Sequence, residues 1–428
     1  MAMITRILAR VRTGHPAFVL AVILMIHTVL NIDRSALSII IEPIKRDYKA
    51  TDTQLALLTF GFAMFFTIAG LPLGRWVDRG VRRDILAICT GFFSLMTAVA
   101  GLTTNFMQLL ATRLLVGAGE AGGGPAMVSM ISDIFPPQRR AFVISVYYLG
   151  VPIGFMGTFG VGGLLAGALG WRSVFLAAAI PGILLAGIAY LTLHEPKRGA
   201  AEQNIPRKKY SLSATLGFIV RQPALRHVLA GMIVISALSS TTMTWVVSFL
   251  IRSHHASLPE AGVFMTLGYG VATAFGTLLS GWCADNLTAS DGRWRAWICG
   301  LGAIFACPAL IGFLIAPTLI AAGLMLSLWS LSVSLIAGPV MAMIQSLTPP
   351  AMRGTSTAIF YMIASSLGAL GPLIVGAISD FLHTSAGNSS LKYSLMAFSL
   401  LYILAALLFW LSGVTYRSDV TTADELAA

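Results

Sequence analysis

Arg113-Leu114-Leu115-Val116-Gly117-Ala118-Gly119-Glu120-Ala121-Gly122-Gly123-Gly124-Pro125 sets an arginine and a glutamate in a run otherwise apolar or small from Phe106 to Ile131. Read as a membrane helix, the run holds both charges in hydrocarbon, where each is costly unless paired or wetted. Arg113, Gly117 and Glu120 are spaced i, i+4, i+7 and share one helix face. Glycines on that face let another helix approach closely. A charged, glycine-lined stripe at membrane depth is what a solute pathway requires.

Composition agrees with the membrane reading. The 428 residues are 57% hydrophobic and 11% charged, and mean hydropathy is +0.83. Soluble domains carry roughly 25% charged residues, so this chain cannot cover a water-facing surface. The net charge of +11 does not point to nucleic acid, because the basic residues cluster in alternate connecting segments. Cys89, Cys283, Cys299 and Cys307 fall inside expected spans and read as small apolar residues, with no disulfide, metal site or cofactor implied.

Apolar runs of bilayer length predict an all-α polytopic protein with twelve spans at about 17–41, 54–76, 84–104, 107–132, 139–167, 171–193, 224–251, 260–284, 295–316, 318–346, 352–379 and 391–413. Residues 1–30 resemble a signal peptide, but no small-residue cleavage site interrupts the run to Ile41, so it reads as a retained first span. Of the 28 Lys and Arg, 20 fall in inner segments and 6 in outer ones, while Arg34 and Arg113 lie within spans. That asymmetry places both termini in the cytoplasm.

The expected organisation is a six-helix bundle over 1–193, a linker over 194–223, a second bundle over 224–416 and a cytoplasmic tail over 417–428. Lys197, Arg198, Arg207, Lys208 and Lys209 make the linker basic. It reads as a plain connection obeying the charge rule, with a short interfacial helix at Ser211–Val220 as the other possibility. The halves look duplicated. Gly74-Arg-Trp-Val-Asp78 recurs as Gly281-Trp-Cys-Ala-Asp285, and Pro136-Pro137-Gln-Arg-Arg140 as Pro349-Pro350-Ala-Met-Arg353, 207 and 213 residues later. Parallel halves of this kind build transporters with a midplane site at the repeat interface.

Gly74-Arg75-Trp76-Val77-Asp78-Arg79-Gly80-Val81-Arg82-Arg83 resembles the cytoplasmic loop signature of the major facilitator superfamily, with Trp76 in place of a leucine and Gly80 one position early. Arg113-x-x-x-Gly117 resembles the family's fourth-span motif. The resemblance implies that Asp78, Arg82, Arg83, Asp133 and Arg139 form a charge cluster latching the cytoplasmic side. Gly74 would permit close packing there, and Arg79 would lie at the headgroup level. Asn31-Ile32-Asp33-Arg34, Ile41-Glu42-Pro43-Ile44-Lys45, Gly119-Glu120-Ala121 and Gly170-Trp171-Arg172 narrow the likeness to the spinster-like branch, mainly in the first half. That branch is associated with proton-coupled export of lysophospholipids and sphingoid lipids. The resemblance also implies a bacterial-type inner-membrane location and a monomer. The fifth span lacks the ending associated with antiporters, so antiport does not follow.

Asp33 lies about eight residues, roughly 12 Å, from the expected outer end of its span, and Arg113 roughly 10 Å from its own. These depths let Asp33 meet Arg113, leaving Glu120 for Arg34. A carboxylic acid in a low-dielectric cavity gains proton affinity and a neighbouring arginine removes it, so the set works as a proton switch or, alternatively, as a static ion-pair lock. The cost of intramembrane charge favours the switch. The arginines also suit an anionic head group. His27 relays protons or, as is commoner for a lone histidine, is simply hydrogen-bonded. Tyr147, Thr241, Trp245 and Tyr361 are candidate cavity-lining residues or packing residues.

The expected function is therefore proton-coupled secondary transport of an amphipathic, lipid-like molecule by alternating access. The alternatives are proton symport of a carboxylate or sugar acid, and a non-transporting membrane receptor. An enzyme would need a nucleophile or metal constellation that the chain lacks, and it has no phosphate-binding Gly-Lys-Ser/Thr stretch for an ATPase.

Overall fold

A computed structural model describes residues 15–198, 211–288 and 291–425. Arg6, Arg10, Arg12, Arg207, Lys208 and Lys209, which count among the inner basic residues, lie outside the described residues, as do both extreme termini. Helix dominates because hydrocarbon supplies no partner for backbone N–H and C=O, so each spanning segment must satisfy its own. The spans are α1 Pro16–Tyr48, α2 Asp52–Arg79, α3 Arg82–Ala100, α4 Phe106–Ile134, α5 Phe142–Leu169, α6 Trp171–Thr192, α7 Pro223–His254, α8 Leu258–Cys283, α9 Trp294–Ile315 and α10 Leu319–Ser346. The last apolar stretch, Arg353–Thr421, has 69 residues. At 1.5 Å per residue it is about three times too long for one crossing. Gly387, at φ +52°, opens the 3₁₀ turn Gly387–Ser389 that divides it. The result is α11, Arg353–Gly368 continued by Leu370–Ala386, and α12, Ser390–Ser399 continued by Leu401–Glu425. Twelve crossings follow among the described residues.

Local chemistry sets the helix ends. Asn105 and Thr318 accept from the backbone N–H of Gln108 and Ala321, capping α4 and α10. Lys49 and His255, at φ 50° and 55°, close α1 and α7 in the left-handed region. Gly170, at φ +83°, makes the sharp connection from α5 to α6, a conformation that suits only glycine.

Two ends differ from expectation. α1 continues to Tyr48, beyond the expected limit at residue 41, because Glu42 and Ile44 are buried in protein contacts where charge does not end a helix. The last helix runs through the expected tail to Glu425. The connection after α6 holds a short helix, Leu212–Arg221, capped by the Ser211 hydroxyl.

The chain divides into two compact units. Unit 1 gathers the described residues of Met1–Ala50, Leu57–Pro206 and Ser257–Gly262, and unit 2 those of Thr51–Ala56, Arg207–Ala256 and Val263–Ala428. In unit 1, α6 packs on α3 and α1, and α1 on α5; in unit 2, α12 packs on α9 and α7, and α7 on α11. The pairings α3–α6 and α1–α5 thus recur six helices later as α9–α12 and α7–α11, as a duplicated chain requires. Unit 2 also holds the first turn of α2, where Asp52 takes a two-pronged contact from Arg252 at 2.8 and 2.7 Å.

Candidate functional site

Adjacent residues on a helix diverge by about 100°, and α1 uses this to send Asp33 and Arg34 to different partners on α4. Arg113 donates to Asp33 Oδ2 at 2.9 Å and Thr97 of α3 donates to Oδ1 at 2.6 Å. Arg34 Nε donates to Glu120 Oε2 at 2.6 Å. The side chains of Arg113 and Asp33 are 2% and 1% exposed; Arg34 is 38% exposed against 0% for Glu120. One pair is therefore sealed in the bundle, and the other opens through its arginine. Phe62 of α2 lies beside both guanidinium groups, 5.4 Å from Arg113 and 6.0 Å from Arg34, with Phe66 5.1 Å from Arg34. Among the described residues, Glu120 Oε1 and Arg113 Nε are buried without a hydrogen-bond partner.

Gly117 brings α4 against α2. A Cβ there would enter the carbonyl of Phe62, and the obstacle is backbone, which cannot rotate away. Gly117→Ala is expected to cost about 1–3 kcal/mol through overpacking, read as a lowered unfolding midpoint. An unchanged midpoint would mean that α2 and α4 are free to separate.

The remaining expected residues divide. His27 Nδ1 donates to the Tyr147 carbonyl at 2.9 Å and its ring stacks on Tyr147 at 4.0 Å. No hydrogen bond joins it to the Asp33–Glu120 set among the described residues, as a hydrogen-bonded rather than relaying histidine would be placed. Tyr147, 4% exposed, sits in the apolar core of unit 1. Thr241 and Trp245 are also buried, at 1% and 0%, and Trp245 donates to the Pro372 carbonyl at 3.2 Å. These three are packed in this structure. Tyr361 lines a hollow of about 230 Å³ within unit 2, with Met232, Ile235, Ser236, Ile336 and Val340.

The loop signature between α2 and α3 is organised around Arg82, 1% exposed. It pairs with Asp133, donates to Glu195 Oε1 at 2.7 Å and to Ser129 Oγ at 2.8 Å, and reaches the Pro196 carbonyl at 2.8 Å. Glu195 Oε2 accepts the Arg83 N–H at 3.0 Å. Arg198 then covers the end of α2, donating to the carbonyls of Val77, Asp78 and Gly80, which a helix C-terminus leaves without partners. The Arg83 side chain pairs with Asp84, while the side chains of Asp78 and Arg139 are exposed. Of the residues implied by the resemblance, Arg82 and Asp133 come together within unit 1, joined by Glu195, while the side chains of Asp78, Arg83 and Arg139 lie outside this contact. A Cβ at Gly74 would meet open space, so the close packing expected there is not seen among the described residues, and Arg79 is exposed. Glu195 and Arg198 were not anticipated as site residues. Their signal was the charged Glu-Pro-Lys-Arg stretch directly after α6, which reads as linker until the fold brings it to the loop.

A family model described as Major Facilitator Superfamily matches residues 23–372. The "MFS-type efflux pump" of Mycolicibacterium smegmatis is 30% identical over 93% of each chain. The "Hexuronate transporter" of Bacillus subtilis is 25% identical, covering 87% of this chain and 90% of its own. The "Sphingosine-1-phosphate transporter SPNS2" of Xenopus tropicalis is 25% identical, covering 94% and 83%. Among solved structures, a bacterial homolog to the human lysosomal transporter Spinster, inward-facing and unoccupied, matches with a TM-score of 0.87 at 27% identity, covering 95% of this chain and 98% of that one. Apolar helices, loop signature and relatives agree on a spinster-like, multi-pass, inner-membrane transporter and not an enzyme: the chain belongs to the Major Facilitator Superfamily.

Proposed function

We propose that this chain is a proton-coupled secondary transporter that moves an amphipathic, lipid-like molecule by alternating access, with Asp33, Arg34, Arg113 and Glu120 as its coupling and head-group residues. The observation that carries the reading is the crossed pair itself. Two carboxylates and two guanidinium groups pair between the spanning helices α1 and α4 with balanced charge, and the Arg34–Glu120 pair is open on its arginine side. Pairing only about offsets the desolvation of such ions, so a proton on Glu120 or an anion at Arg34 is enough to exchange partners. The apolar hollow beside Tyr361 suits a hydrocarbon tail, and the similarity to a sphingosine-1-phosphate transporter favours the same substrate class. The loop cluster around Arg82, extended by Glu195 and Arg198, would act as the cytoplasmic gate, with Gly74, Asp78, Arg79, Arg83, Asp133 and Arg139 around it. Monomeric assembly is part of the proposal.

The similarity to a hexuronate transporter favours a second reading, in which Arg34 and Arg113 hold a small carboxylate taken up by symport. One assay separates the two. Proteoliposomes containing a pH-sensitive dye receive lysophospholipids and small carboxylates in turn. Proton movement dependent on lysophospholipid is expected. Movement with carboxylates alone would transfer the proposal to the second reading, and tight ligand binding with no flux would overturn transport.

A further inference from the structure

The inner rim of unit 2 carries a polar hollow that the transport reading does not use. It has a volume of about 510 Å³ and is lined by Asp291, Gly292, Arg295, Ser346, Tyr416 and Arg417, where the ends of α9, α10 and α12 meet. Arg295 is held in place by a relay of hydroxyls. Its NH1 donates to the Tyr416 hydroxyl at 2.9 Å, which is 2.7 Å from Ser346 Oγ, and Ser346 in turn donates to the Ala342 carbonyl at 2.9 Å. Among the described residues Arg295 has no carboxylate partner, and its guanidinium, which lines the hollow, is engaged only by the Tyr416 hydroxyl. Arg417, whose side chain is 67% exposed, stands on the other wall and pairs with Asp291 at 2.9 Å.

Asp291 does not neutralise this rim. It already accepts the Arg293 N–H and Nε, both at 3.0 Å, as well as Arg417. The Arg293 N–H and side chain, with Arg417, hold its carboxyl below the ordinary range. Three guanidinium groups therefore face one acid. Asp419, the nearby acid on α12, is spent on the Ala224 N–H of α7 at 2.7 Å. Along the same helices, Trp294 and Trp297 of α9 and Trp410 of α12 form a contact series at 5.3 and 5.7 Å, and Trp410 is 56% exposed. Tryptophan is enriched at the headgroup level of a membrane protein. A fixed guanidinium without a carboxylate partner at that level, with hydroxyls around it, matches a phosphate oxyanion, and basic pockets between helices at the inner face hold anionic lipid head groups.

We infer that the hollow between α9, α10 and α12 is a binding site for the phosphate of an anionic phospholipid of the inner leaflet. The leaflet assignment rests on the charge asymmetry of the connecting segments; the chemistry rests on Arg295, Arg417 and Tyr416. The site lies on unit 2 and is independent of the coupling residues, so failure of either proposal leaves the other standing.

The test uses the purified full chain in native mass spectrometry with phosphatidylglycerol, phosphatidylcholine and glycerol 3-phosphate as separate probes. Retention of phosphatidylglycerol over phosphatidylcholine is expected, falling about tenfold in Arg295→Gln, the weight of one charge-assisted contact. Tyr416→Phe keeps the ring but releases Arg295, and is expected to lose a smaller part of the retention. Equal retention of both lipids, or unchanged phosphatidylglycerol retention in both variants, overturns the site. Glycerol 3-phosphate retained as strongly as the lipid overturns the lipid assignment in favour of a soluble phosphate ligand.

Discussion

Glu120→Gln is expected to abolish proton-driven accumulation while sparing exchange of substrate across the membrane. Its carboxyl is fully buried, and one oxygen meets Arg34 while the other has no partner. The amide keeps the size and still accepts from Arg34, but it cannot take up or release a proton. A gradient of about 1 pH unit stores about 1.4 kcal/mol per proton, enough for about tenfold accumulation with one-to-one coupling. The parent should approach that ratio in acid-jumped proteoliposomes, and the variant should stay near unity. Folding should survive, because the arginine left without its counter-charge is 38% exposed and can be wetted. Asp33 offers no such relief, since its partner Arg113 is 2% exposed. Accumulation at the parental level in Glu120→Gln would remove Glu120 from the coupling step and leave the crossed pair as a static lock.

Arg82→Ala is expected to be the most damaging single change to stability, at roughly 3–5 kcal/mol, the cost of stripping one partner from a buried ionic group. The guanidinium serves Asp133, Glu195, Ser129 and the Pro196 carbonyl together. Its removal leaves two carboxylates facing one another and frees the segment that Arg198 uses to cover the end of α2. Arg82→Lys should recover only part of the loss, because a point charge on a flexible stem cannot serve a fork of separate acceptors. The unfolding midpoint of the purified protein and its yield from membranes are the readouts. A variant that unfolds with the parent would show that the Arg82 contacts add no net stability.

The crossed pair is legible in the sequence because helix geometry ties sequence spacing to direction. Arg113 and Glu120 are seven residues apart and must share a face; Asp33 and Arg34 are neighbours and must diverge. In hydrocarbon, four charges on two helices have few ways to be satisfied. The aromatic residues carried no such constraint. Tyr147 and Trp245 fit a cavity wall or a packed core equally well, since lipid, protein and an amphiphile all accept a ring. Their burial depended on stacking with His27 and on the approach of α11. Phe62 was silent for the same reason, although it lies against both guanidinium groups.

Glu195 and Arg198 fell beyond sequence reasoning for a different cause. They contact Arg82 and the end of α2 across more than a hundred residues, a separation over which no periodicity carries information. The end of α1 was misjudged because hydropathy measures where lipid would stop. Glu42 and Ile44 continue the helix inside protein, and protein does not stop at the headgroups.

Composition and hydropathy by themselves determined that the chain crosses a membrane as helices, about how often, and which charges must find partners there, because a bilayer offers the backbone no other solution. Tertiary structure alone decided which faces meet, which rings are packed, and that the connection after α6 packs against the loop between α2 and α3. Those outcomes turn on contacts between distant residues, whose free energies appear only once the helices are side by side.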